Sequence, residues 1–126
     1  MVNVIIKVLV LLPAVLFIFT GVRWLVAPSD VAATFGLGLS EGQGRSSLIG
    51  DMAGFFLTLG SCMLIALITQ RRAWYYPPIM LLAATTLGRI IAWLIHDAAL
   101  AGSQIMVELV VACILLAASR RLPQEQ

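Results

Sequence analysis

Five ionisable residues stand inside or at the edge of long apolar stretches: Asp51, Arg89, His96, Asp97 and Glu108. Arg23 and Arg45 lie near the ends of neighbouring stretches. An ionisable group inside a membrane span costs about 2.5–3.5 kcal/mol on insertion scales, so it usually faces other helices or water. Arg89 offers five N–H donors, and Asp51 and Glu108 are carboxylates able to accept from it. Arg89, Trp93 and His96 follow i, i+4, i+7, which puts them on one helix face, with Trp93 placed to stack on Arg89. His96 is the one imidazole of this set, the side-chain type suited to proton handling. The chemistry open to these residues is ion pairing between helices, recognition of a small polar group, or proton handling.

The elements that carry them are set by composition. The chain has 126 residues, enough for one domain, and is 61% hydrophobic and 11% charged. Its mean hydropathy is +1.03. Soluble domains carry roughly 25% charged residues. With half that share, the chain cannot cover a water-facing surface, so lipid must solvate much of it. The formal net charge is only +2, and no basic run is interleaved with aromatics, so nucleic-acid binding is not expected.

Crossing a hydrocarbon core about 30 Å thick takes about 20 mostly apolar residues. Four stretches qualify, at about 4–26, 47–69, 78–98 and 104–119. The expected fold is an all-α integral membrane four-helix bundle, with residues 1–126 as one domain. Lys7 and the apolar run after it look like a signal peptide. However, apolar character continues to Val26 with no small-x-small pattern behind it, so an uncleaved first span is expected. Pro13 is tolerable inside a membrane helix, and Pro28 is expected to end the span. Between the first two spans, Ser29 or Asp30 can cap a short interfacial helix carrying Val31 and Phe35 on one face. A Gly-rich loop follows, with Gly36, Gly38, Gly42 and Gly44. It lacks the spacing of a phosphate-binding loop. Arg71 and Arg72, then Trp74, Tyr75 and Tyr76, mark a membrane boundary. Pro77 and Pro78 suit the first turn of the third span. Residues 123–126 read as a polar tail.

Cytoplasmic loops carry an excess of Lys and Arg. With four spans, Lys7, Arg71, Arg72, Arg120 and Arg121 share one side, while Arg23 and Arg45 share the other. Five against two predicts both termini in the cytoplasm. Asp51 and Glu108 then lie about one turn in from the outer end, His96 and Asp97 lie at that end, and Arg89 lies roughly 13 Å deep at 1.5 Å per residue. The intramembrane polar groups gather in the outer half. Gly50 with Gly54, and Ala84 with Gly88, form small-xxx-small pairs of the kind that let helices approach closely, with Gly60 and Ser61 further along. Cys62 and Cys113 are expected to be buried packing residues. Neither has a partner at metal-ligand spacing, and no metal or cofactor is expected.

RSSLIGDMAGFFLTLG at 45–60, LGRIIAWLIHD at 87–97 and the later Glu108 resemble a bacterial family of small four-span membrane proteins known as a domain of unknown function. The resemblance covers nearly the whole chain and includes FGL at 35–37. Its most specific element is Gly88 and Arg89 with Glu108, and Ala98 departs from a glycine in that pattern. The family is distantly similar to DoxX-like proteins, some tied to quinone or redox systems. The resemblance implies a bacterial cytoplasmic membrane location and lends no reaction.

Three functions remain open. The leading one is a non-catalytic accessory or small-ligand-binding protein, because no recognisable catalytic set is present. The second is a membrane enzyme or redox helper acting on a lipophilic molecule such as a quinone, with Arg89, His96, Asp51 and Glu108 lining its site. The third is a small proton-coupled transporter, disfavoured by a first span without glutamate. In each, the charged cluster can equally be a staple that fixes helix register. Expected partners are membrane lipid and, on the pocket reading, a lipophilic small molecule. A homo-oligomer or a larger membrane complex stays open.

Overall fold

The computed structural model describes residues 1–123, so the end of the expected polar tail, residues 124–126, lies outside the described residues. The chain is an all-α four-helix bundle with a short fifth helix. The helices are α1 (Val2–Val26), α2 (Pro28–Thr34), α3 (Gly42–Thr69), α4 (Tyr76–Ile95) and α5 (Gly102–Arg121). A turn of 3-10 helix, Arg72–Tyr75, leads into α4. Four of the helices are long and apolar enough to cross a membrane, which makes this a multi-pass membrane protein.

Helix α1 is apolar on every side, so polarity does not choose which of its faces is buried. Helix α1 buries Val10, Ala14, Phe17, Gly21 and Trp24, a narrow stripe at alternating four- and three-residue steps. Its other large side chains, such as Leu12, Val15 and Leu25, are exposed on the bundle surface, where lipid is the solvent. Helix α3 answers with Ala53, Phe56, Gly60 and Met63 at the same spacing. Helix α5 presents Glu108, Val111, Leu115 and Ala118. Helix α4 buries only Pro78, Leu82 and Thr86, all in its first half or just past it.

Helix α1 lies along α3 and also touches α5, while α4 lies along α5. The closest approach between α1 and α3 is made by two glycines. A Cβ at Gly60 would stand 2.6 Å from the Ala14 carbonyl oxygen and from the Ile18 side chain, and one at Gly21 would stand 2.7 Å from Leu57. Gly50, Gly54 and Gly88 have open space where a Cβ would go. The small-xxx-small pairs expected from sequence therefore do not make the tight contact. Tight packing in this bundle is carried by glycines outside those pairs.

Other local expectations shift with the geometry. Helix α2 starts at Pro28 with Ala27 as its N-cap, so neither Ser29 nor Asp30 caps it. It ends in a Schellman motif: Leu37 N–H donates to the Ala32 carbonyl at 2.8 Å and Gly36 N–H to the Ala33 carbonyl at 3.0 Å. Gly36 takes the left-handed conformation this needs, at φ 71°. Helix α3 begins at Gly42, five residues before the expected start of the span, because its first turns are polar and glycine-rich yet helical. Helix α4 ends at Ile95. Cys62 is buried, but Cys113 is exposed on α5, contrary to expectation, and both are free.

The end of the bundle near the 3-10 helix is closed. Tyr75, Ala66, Leu115, Ala118 and Leu122 are buried there. Arg72 Nε donates to the Ser119 carbonyl at 2.8 Å, engaging a carbonyl in the last turn of α5 that has no intrahelical donor. The Tyr75 hydroxyl is buried without a hydrogen-bond partner among the described residues. An unpaired buried hydroxyl costs desolvation free energy without return, so Tyr75→Phe is expected to stabilise the bundle by about 1 kcal/mol. Thermal unfolding in detergent checks this, and a lower unfolding temperature in the variant would show that the hydroxyl has a partner in the membrane.

Candidate functional site

At the opposite end the bundle is looser, since α4 buries nothing beyond Thr86. This end holds the C-termini of α1 and α4 and the N-termini of α3 and α5. Between the helices there lies a cavity of about 570 Å³. Leu16, Phe17 and Thr20 of α1 line it, as do Met52, Phe55, Phe56 and Leu59 of α3. Its polar wall is Asp51 from α3, Arg89 from α4, and Ser103, Gln104 and Glu108 from α5.

Arg89 sits one turn beyond the buried seam residues Leu82 and Thr86 on α4, and Glu108 heads the seam of α5. Antiparallel packing of α4 on α5 therefore brings them face to face. Arg89 Nε lies 3.0 Å from Glu108 Oε2 and 3.2 Å from Oε1. The Thr86 hydroxyl donates to Oε1 at 3.1 Å, and Arg89 Nη1 donates to the Gln104 side-chain oxygen at 3.1 Å. The Glu108 side chain is 11% exposed and that of Arg89 30%. The carboxylate thus receives donors from two sides, as a buried charge requires. The guanidinium, with five N–H groups, keeps others free to face the cavity.

Asp51 lines the same cavity and carries no hydrogen bond or ion pair among the described residues. It also borders a shallower hollow lined by Leu37, Gly38, Ser40 and Ser47. The aromatic wall is continuous. Phe56 lies 5.9 Å from Phe17, 5.6 Å from Phe35 and 5.1 Å from Phe55 between ring centroids. Trp24 stacks on Phe35 at 6.0 Å. The Schellman turn after α2 is what brings Phe35 into this wall.

Several candidates from sequence fall elsewhere. His96 caps the C-terminus of α4 and is exposed, and Asp97 follows it in the left-handed conformation at φ 57°. Trp93 is 46% exposed, and no aromatic ring contacts Arg89 among the described residues. Arg45 ties the loop to α3 by donating from Nε to the Ser40 carbonyl at 2.9 Å. Arg23 lies half-buried in the last turn of α1. None of these five lines the cavity. Conversely, Thr86 and Gln104 belong to the cluster although neither was singled out from sequence. Their spacing was the available signal: Thr86 is three residues before Arg89 and Gln104 four before Glu108, hence on the same faces.

Among the described residues no group of three His, Cys, Asp or Glu side chains could hold a metal ion. Comparison with known proteins found no matching family model, no similar curated protein and no similar solved structure.

Proposed function

We propose that this protein binds a lipophilic small molecule between its membrane helices, as an accessory or carrier protein rather than a catalyst. The observation that supports this most is the cavity itself. Its volume of about 570 Å³ falls within the range of small-molecule sites, and it has an apolar body with a few polar groups converging on one wall. The Arg89–Glu108 pair fixes α4 against α5 and shapes that wall. The excess of basic residues at Lys7, Arg71, Arg72, Arg120 and Arg121 supports a topology with both termini in the cytoplasm. On that topology the polar wall lies in the outer half of the bilayer. The resemblance of 45–60 and 87–97 to small four-span bacterial proteins supports placing it in the bacterial cytoplasmic membrane.

The test is extraction of the purified protein followed by mass spectrometry, for the wild type and for Thr85→Trp. Thr85 lines the cavity, and its hydroxyl bonds only within its own helix, to the Leu81 carbonyl. Replacing it breaks no hydrogen bond between helices and places an indole in the cavity. A lipophilic compound retained by the wild type and lost from a folded Thr85→Trp variant is expected. Equal retention by both proteins, or retention by neither together with no binding on titration, would overturn the reading.

A further inference from the structure

We infer that the occupant of this cavity is a lipophilic cation, held by Asp51 and by the phenylalanine wall. The inference rests on the ligand-site reading above and adds the sign of the ligand's charge.

Among the described residues three charged side chains line the cavity: Asp51, Arg89 and Glu108. Arg89 and Glu108 neutralise each other at 3.0 Å. The ionised wall therefore holds two carboxylates and one guanidinium, leaving one negative charge in excess. That excess belongs to Asp51, which has no partner among the described residues. Asp51 is exposed, so its carboxylate is open to a ligand, and a cation placed beside it gains an ion pair that no other described residue offers. An anionic amphiphile meets the reverse situation. The charge of the one guanidinium on this wall is offset by Glu108 at 3.0 Å, and Asp51 repels the newcomer.

The apolar wall points the same way. Phe17, Phe35, Phe55 and Phe56 all line the cavity. Aromatic faces are electron-rich, and several rings around one cavity favour ammonium or phosphonium groups, whose charge is diffuse and weakly hydrated. A neutral hydrocarbon would be served equally well by leucines and would leave Asp51 unpaired. The ligand class is thus an amphiphilic amine, a quaternary ammonium or a phosphonium of a size to fit the cavity.

The probes are tetraphenylphosphonium, tetraphenylborate of the same shape and opposite charge, and neutral triphenylphosphine oxide. Binding is measured by titration calorimetry on the full chain in nanodiscs of zwitterionic phospholipid, with empty nanodiscs subtracted. Wild type is expected to saturate with the cation and not with the anion. Asp51→Asn, which removes an exposed and unpaired charge, is expected to weaken cation binding about tenfold. Asp51→Glu is expected to retain it. If Asp51→Asn does not fold, Phe55→Leu replaces it, with a loss for the cation that exceeds the loss for the neutral probe. Absence of saturable cation binding overturns the inference, as does tighter binding of the anion or an unchanged affinity in Asp51→Asn. Those results leave the ligand-site reading standing if the neutral probe or a retained compound is still excluded by Thr85→Trp.

Discussion

Arg89→Ala is expected to lower the stability of the bundle by about 3 kcal/mol, the low end of the range for breaking a buried ion pair. The low end applies because the Arg89 side chain is 30% exposed. The cost arises at Glu108, which would keep only the Thr86 hydroxyl as a donor while remaining almost enclosed. Gln104 would lose its guanidinium partner as well. The double variant Arg89→Leu, Glu108→Leu is expected to recover most of this loss, since a matched apolar pair carries no desolvation cost. Reversible unfolding in mixed micelles measures Arg89→Ala beside the wild type, Arg89→Leu, Glu108→Leu and their double variant, the last four closing one cycle. If the double variant is as unstable as Arg89→Ala, the cost does not come from a stranded carboxylate. The same double variant separates stapling from binding. It removes one charge of each sign, so the excess at Asp51 persists and cation binding should persist with it. Loss of that binding in a folded double variant would place Arg89 and Glu108 in the ligand contact itself.

The four spans were legible because hydropathy alone decides what lipid can solvate. Legibility stopped where the helices had to choose a face. In a soluble protein the polar residues mark the outside of each helix, but α1 is apolar on every side, and its seam from Val10 to Trp24 differs from the rest only in packing. The start of α3 was misplaced for a related reason. Gly42 to Ser47 has loop composition, yet it continues a helix already paid for by the apolar turns that follow. The Arg89–Glu108 pair was legible because a charge in a span must find an opposite charge, and few were available. Thr86 and Gln104 were missed because an uncharged polar side chain makes no such demand. His96 and Trp93 were overvalued because depth in the membrane says nothing about which way a side chain turns. Helix α4 ends before His96, so the residue belongs to the connection and not to the face that Arg89 shares with Thr86. The cavity was not legible at all. It follows from the loose packing of α4 beyond Thr86, a tertiary property with no local pattern.

Gly60→Leu is expected to destabilise the protein by about 3 kcal/mol or more, beyond most overpacking substitutions. Even a Cβ at this position meets the Ala14 carbonyl oxygen and Ile18 at 2.6 Å. The first of these is backbone, so no rotamer change removes the clash, and α1 must move away from α3. Trimming the other neighbour, in Gly60→Leu with Ile18→Ala, is therefore expected to restore little. Gly54→Leu is the matched comparison, on the same helix but with open space around it. There the new side chain enters lipid, and leucine's better helix propensity favours the variant by up to about 1 kcal/mol. Unfolding of both variants in the same detergent gives the contrast directly. Equal tolerance at the two positions would mean that α1 and α3 do not meet through Gly60. A large loss at Gly54 alone would restore the small-xxx-small pair as the true contact and would require α3 to turn a different face to α1. Such a rotation would also carry Asp51 out of the cavity, so this pair of variants tests the frame on which the ligand site depends.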